Sequence, residues 1–115
     1  MRTAITHIID KVALTTLTFE ASDTEKSFTF SKSGLLRGII TEASNWTNAV
    51  DYGFTITNED GTTLKTTSSL VKNATTYTDG GSLPIHYEEH TLTVTLAGAP
   101  GAGGATVGVT LLLER

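Results

Sequence analysis

Thr91-Leu92-Thr93-Val94-Thr95-Leu96, then a stretch from Ala97 to Ala105 built only of Gly, Ala and Pro, then Thr106-Val107-Gly108-Val109-Thr110-Leu111-Leu112-Leu113, is the most informative pattern in the chain. Apolar side chains recur at every second position on both sides of the loop, so each run carries one greasy face and one threonine face on an extended chain. The pair predicts a β-hairpin. Roughly one residue in five is threonine, whose β-branched side chain suits a pleated surface while its hydroxyl tolerates water.

Outward from that hairpin the same alternation returns. Leu17 and Phe19 oppose Thr16, Thr18 and Glu20, and Ser27-Phe28-Thr29-Phe30-Ser31 alternates too cleanly for a helix. Ser33-Gly34 reads as a turn. Leu35 to Glu42 has apolar residues on both faces, as expected of a strand covered on both sides or touching a partner. Tyr52, Phe54 and Ile56 line one face of a strand that ends in the hairpin turn Asn58-Glu59-Asp60-Gly61, and the return strand is Thr62 to Thr67. Ser68 to Asn73 has room for one helical turn, and Asn73 to Thr78 is a further strand ended by Asp79-Gly80-Gly81. Pro84 then marks a strand start or a sheet edge, since it cannot donate to a ladder. The sum is an all-β chain of about eight strands: a single antiparallel β-sandwich, jelly-roll-like or immunoglobulin-like. Residues 11–115 form the sandwich, and 1–10 an N-terminal arm or edge strand. The Gly/Ala/Pro loop has too little side chain to pack itself, and is expected to be mobile or ordered only against something else.

Composition narrows the function. A chain of 115 residues can bury a core without metal or disulfides, and it has no cysteine for either. A net charge of -4 with no block of Lys or Arg argues against a nucleic-acid partner. No stretch is long and apolar enough for a membrane span, and the first ten residues lack the apolar run of a signal peptide, which fits synthesis in a reducing cytoplasm.

Motifs that suggest chemistry fail on geometry. His86-Tyr87-Glu88-Glu89-His90 matches the H-x-x-E-H zinc pattern, which needs a helix; on a strand the two imidazoles stand roughly 13 Å apart. Gly98 and Gly103 have phosphate-loop spacing, but the Lys and Ser/Thr that hold phosphate and magnesium are missing. Asn45-Trp46-Thr47 and Asn73-Ala74-Thr75 fit the glycosylation acceptor, a match that a threonine-rich chain produces by chance. Asp51, Glu59, Asp60 and Asp79 lie at turns, where a carboxylate bonds nearby backbone rather than calcium. The chain is therefore expected not to be an enzyme and to need no cofactor or metal. Two side chains stand out otherwise. Trp46, in a polar loop, either tucks under the sandwich or is offered to a partner. Arg37, between Leu36 and Gly38, is an interchain ion pair or a snorkelling edge residue.

The segment Tyr52 to Gly61, and above all Leu92 to Gly101 with Thr106 to Leu111, resembles small all-β virion proteins of tailed bacteriophages, several kinds of which are capsid decoration, or cement, proteins. The likeness covers the C-terminal two-thirds of the chain and lies in hairpins, Thr alternation and a Gly-Ala-Pro tip. It implies a non-enzymatic protein, made in the host cytoplasm, that sits on the capsid surface as a homotrimer. Its partners would be the major capsid protein and further copies of itself. On that reading Arg2 to Ile9 is an arm, with Ile5, Ile8 and Ile9 as its apolar contacts, or else an edge strand. Arg37, Trp46 and Pro100 complete the candidate interface. The alternatives are a neck, tail or adaptor component, and a carbohydrate-binding sandwich. The latter usually exposes a row of aromatics, whereas Tyr52 and Phe54 read as core.

Overall fold

Alternation becomes strand wherever it was read, and the burial pattern explains why. Along Tyr52–Thr57 and Ala105–Glu114 every second residue is buried, so each strand gives one face to the core and one to solvent. The computed structural model describes residues 9–114. They form β1 (Ile9–Phe19), β2 (Glu25–Ala43), β3 (Tyr52–Thr57), β4 (Thr63–Leu70), β5 (Ala74–Leu96) and β6 (Ala105–Glu114). All pairings are antiparallel, in the order β1-β6-β2-β5-β3-β4.

β2 and β5 pair along nearly their whole length, from Glu25↔Thr95 to Ala43↔Ala74. A straight strand of the 23 residues of β5 would run about 73 Å at 3.3 Å per residue, yet the molecule measures 61 Å in its longest dimension. The ladder therefore bends, and other pairings show where. β6 joins β2 only from Leu35 to Ala43, whereas β3 joins β5 only from Thr91 to Leu96. One layer is thus β1, β6, the second half of β2 and the first half of β5. The other is the first half of β2, the second half of β5, β3 and β4. Two four-stranded layers sharing a bent strand pair make a jelly roll, and six continuous strands supply its eight segments.

The bend is built from bulges. His86 and Tyr87 face the single residue Ser33, and Gly80, Gly81 and Ser82 face Arg37. Gly81 (φ 67°) and Ser82 (φ 56°) take the left-handed conformation there. At Gly80 a Cβ would overlap the Leu36 carbonyl oxygen and lie 2.6 Å from its carbon, so residue 80 must be glycine for the strands to close. One expected hairpin and two expected breaks are corrected by this arrangement. β5 and β6 do not pair: Thr91 to Leu96 lies against β3 and the start of β2, whereas β6 lies between β1 and the end of β2, so the Gly/Ala/Pro segment crosses from one layer to the other instead of turning a hairpin. Ser33-Gly34 is not a turn, and Asp79-Gly80-Gly81 does not end a strand; extra residues are absorbed as bulges while pairing continues. Ser68 to Asn73 holds no helical turn, because β4 extends to Leu70 and Asn73 reverses the chain at φ 56°. The hairpin turn at Asn58 forms as read: its side-chain oxygen accepts from the Asp60 and Thr62 amides at 3.1 and 2.9 Å.

One core fills the space between layers. Leu17, Phe19, Leu36, Ile39, Val107, Val109, Leu111 and Leu113 meet Phe30, Tyr52, Phe54, Ile56, Leu92, Val94 and Leu96. Its buried polar groups are bonded. The Tyr52 and Thr41 hydroxyls meet at 2.7 Å across the layers. Burial disfavours the phenolate and raises the Tyr52 pKa above its ordinary 10.0, partly offset by the hydroxyls of Thr41 and Thr76. A raised folded-state value means this stabilisation is whole below the unfolded pKa and fades as pH climbs through the folded one. Tyr52→Phe is accordingly expected to cost about 1–3 kcal/mol at neutral pH. The deficit relative to wild type should shrink above pH 10.0, as denaturant melts on both sides of that value will reveal.

Candidate interface surfaces

The candidate residues fall at opposite ends of the second half of β2. At the Ala43 end, the loop after β2 folds Trp46 inward to 2% exposure. Its indole packs edge-on to Tyr52 with ring centroids 5.8 Å apart, and Nε1 donates to the Val50 carbonyl at 3.0 Å. The Lys72 ammonium donates to the Trp46 carbonyl. The same loop pins the Gly/Ala/Pro segment. The Asn48 amide donates to the Pro100 carbonyl at 2.8 Å, Asn48 Nδ2 to that of Ala99 at 2.9 Å, and the Thr47 hydroxyl to that of Ala102 at 2.9 Å. The segment is thus ordered against its own chain, through backbone groups that side-chain composition does not reveal. Pro100 is buried as well. Neither Trp46 nor Pro100 therefore presents its side chain on the surface of a single copy, and of the two readings of Trp46 the structure takes the tucked one.

At the other end Arg37 stands on the bulge, half exposed. Its Nε lies 3.2 Å from Glu114 Oε1, and one terminal nitrogen donates to the Ser82 hydroxyl at 2.6 Å. The Tyr77 hydroxyl donates to the Arg37 carbonyl at 2.9 Å, laying the phenol ring over Gly38. Arg37 thus makes an ion pair within the chain and ties β2, β5 and β6 together at the corner. Glu114 is also the backbone partner of Ile9, so β1 starts beside this corner. Ile5 and Ile8 lie outside the described residues.

The surface also offers apolar side chains. Among the described residues Leu35, Val71, Tyr77 and Tyr87 are the exposed large ones, at 38%, 55%, 59% and 78%. Leu35 and Tyr77 belong to the β2–β5 ladder, and Tyr87 to its bulge. Tyr87 is hidden from a period-two count because the bulge at His86 and Tyr87 shifts the faces of the chain there. The His86–His90 run lies inside β5, extended, so the helical geometry of the zinc pattern is not there. His90 is buried, stacked on Phe30 at 5.3 Å, with Nδ1 donating to the Glu88 carbonyl at 2.9 Å; His86 is exposed.

An open groove of about 370 Å³ lies on the outer face of β3 beside Gly53. β4 bulges here, with Tyr52↔Leu70 followed by Phe54↔Thr67. The Ser68 Cα sits 2.9 Å from where a Cβ on residue 53 would stand, so only glycine lets β4 fold across and form that wall.

No protein-family model matches the sequence, and no curated protein matches it. Among solved structures, SPBc2 prophage-derived protein YomS is similar over 96% of this chain and 99% of its own, with 18% identity and a TM-score of 0.54. The family 32 carbohydrate-binding module of C. perfringens NanJ, solved with galactose, is similar over 92% and 93%, with 15% identity and a TM-score of 0.52. A chain of infectious bursal disease virus, Gx strain, is similar over 99% of this chain and 34% of its own, at 11% identity and a TM-score of 0.50. What these likenesses share is the fold. The resemblance to small all-β phage proteins thus has a structural counterpart in a prophage-derived one, although of the two strand pairs that carry it only that at Asn58–Gly61 is a hairpin.

Proposed function

We propose that this chain is a non-enzymatic structural virion protein, a capsid decoration protein that binds the major capsid lattice and stabilises it. The likeness of fold to a prophage-derived protein, running the length of both chains, carries the reading. The physical character of the molecule supports it. A jelly roll whose buried polar groups are spent on each other is a stiff body, and its coat of threonine and serine with few charges is suited to association. Leu35, Tyr77 and Tyr87 supply exposed apolar and aromatic area of the kind that anchors interfaces. On this proposal copies assemble as homotrimers where capsid subunits meet, with Ile5 and Ile8 as contacts across the joint and Ile9 rooted in β1, on the outside of particles assembled in the host cytoplasm.

Purified particles test the proposal. Quantitative mass spectrometry is expected to find the chain in numbers comparable with the major capsid protein, and labelled electron microscopy to place it over the head. Label confined to neck or tail would favour an adaptor, and absence from particles would overturn a virion role altogether. In a second measurement, Leu35→Ser with Tyr87→Ser is expected to weaken binding to undecorated heads about tenfold or more, without loss of the folded spectrum.

A further inference from the structure

We infer that the groove beside Gly53 is a binding site for a neutral saccharide unit. The inference stands on the groove itself and does not rest on the capsid reading. Its size falls within the range of small-ligand sites. Its lining is what a polyol requires: Thr55, Thr66, Thr95, Ser68 and Ser69 supply hydroxyls that both donate and accept, and Asp51 supplies an acceptor for paired sugar hydroxyls. Gly53 and Ala97 add small apolar surface against which C–H groups can lie. The lining contains a carboxylate and no cation, so a phosphorylated or acidic sugar would meet an uncompensated like charge. The Thr55 and Thr66 hydroxyls are 3.2 Å apart, one bond that leaves both oxygens with capacity to spare. Ser69 holds φ 61°, a conformation that costs a non-glycine residue free energy, in the wall that closes the groove. Thr66, Thr95, Ser68, Ser69 and Asp51 are all exposed, so a ligand reaches them without rearrangement.

The test is a titration of the amide spectrum of the intact protein with galactose, glucose, mannose and N-acetylglucosamine, and with glucose 6-phosphate as the charged control. At least one neutral sugar is expected to produce saturable shifts confined to Gly53, Thr55, Thr66, Ser69 and Thr95. Thr95→Tyr, which fills the groove from an exposed strand position that accepts aromatic residues, is expected to abolish them while the rest of the spectrum is kept. Asp51→Asn should weaken binding severalfold. The inference fails if no neutral sugar gives a saturable shift at tens of millimolar. It fails equally if the shifts survive Thr95→Tyr, or if the phosphorylated sugar binds better than the neutral ones.

Discussion

Trp46→Ala is expected to destabilise the protein by about 3–5 kcal/mol and to lower Tm by roughly 12–20 °C, at about 4 °C per kcal/mol. Three losses combine. A fully buried aromatic leaves a cavity beside Tyr52, the Val50 carbonyl loses its donor, and the loop that carries Asn48 loses its anchor. The third loss spreads the damage, because Thr47 and Asn48 hold the 97–104 segment by three hydrogen bonds to its carbonyls. Hydrogen exchange should therefore show loss of protection at Asn48 and Gly101, whose amides donate to Pro100 and Ala21, before the ladder amides of β2 and β5 are affected. Trp46→Phe should recover most of the stability. A loss below about 1 kcal/mol for Trp46→Ala would mean that the loop is held without its indole.

Gly80→Ala is the second large effect, expected to cost about 3 kcal/mol or more. The methyl group would collide with the Leu36 carbonyl and lie 2.9 Å from the Arg37 carbonyl carbon, backbone atoms on the paired strand that cannot rotate away. The corner must open, and the ladder that joins the two layers loses pairing beside Arg37. The neighbouring glycine is the control. A Cβ on Gly81 meets nothing within 4 Å, so Gly81→Ala is charged only for its left-handed φ of 67°, about 1–2 kcal/mol. Gly81→Asn, which tolerates that conformation, should cost less still. Denaturant melts of the three variants give the ranking, and equal losses at 80 and 81 would show that contact with Leu36 does not control the bend.

Both effects come from contacts between residues far apart in sequence, and this limits what could be read from the chain. The hairpin at Asn58–Gly61 was legible because its turn and both strands are local, and Asn58 Oδ1 bonds amides two and four residues on. The core faces of β3 and β6 were legible because alternation is the direct result of burying one side of a pleat. Ser33-Gly34 and Asp79-Gly80-Gly81 were misread for the opposite reason. Glycine and serine there carry the same local signal as a turn, and whether the chain reverses or bulges depends on the strand lying opposite.

The candidate interface divides the same way. Arg37 was conspicuous in sequence as a charge among apolar residues, yet its partner Glu114 is supplied by the last strand. Exposed Tyr77 and Tyr87 gave no signal, since neither sits in a run with a clear apolar face and each is placed by its pairing with β2. The groove beside Gly53 was equally hidden: its lining comes from β3, β4, β5 and the flanking Asp51 and Ala97, and its wall exists only because β4 crosses a missing side chain.

Residue order alone establishes that this chain is all-β, which side chains are oily, and the hairpin turn at Asn58–Gly61, because those depend on neighbours two to four positions away. The bend that lets two long strands serve both layers, the locking of the Trp46 loop to the Gly/Ala/Pro segment, the separation of β5 from β6 and the outward direction of Tyr77 and Tyr87 arise only when the chain folds. Those outcomes depend on backbone and ring contacts between distant segments, whose register is set when the layers close over a common core.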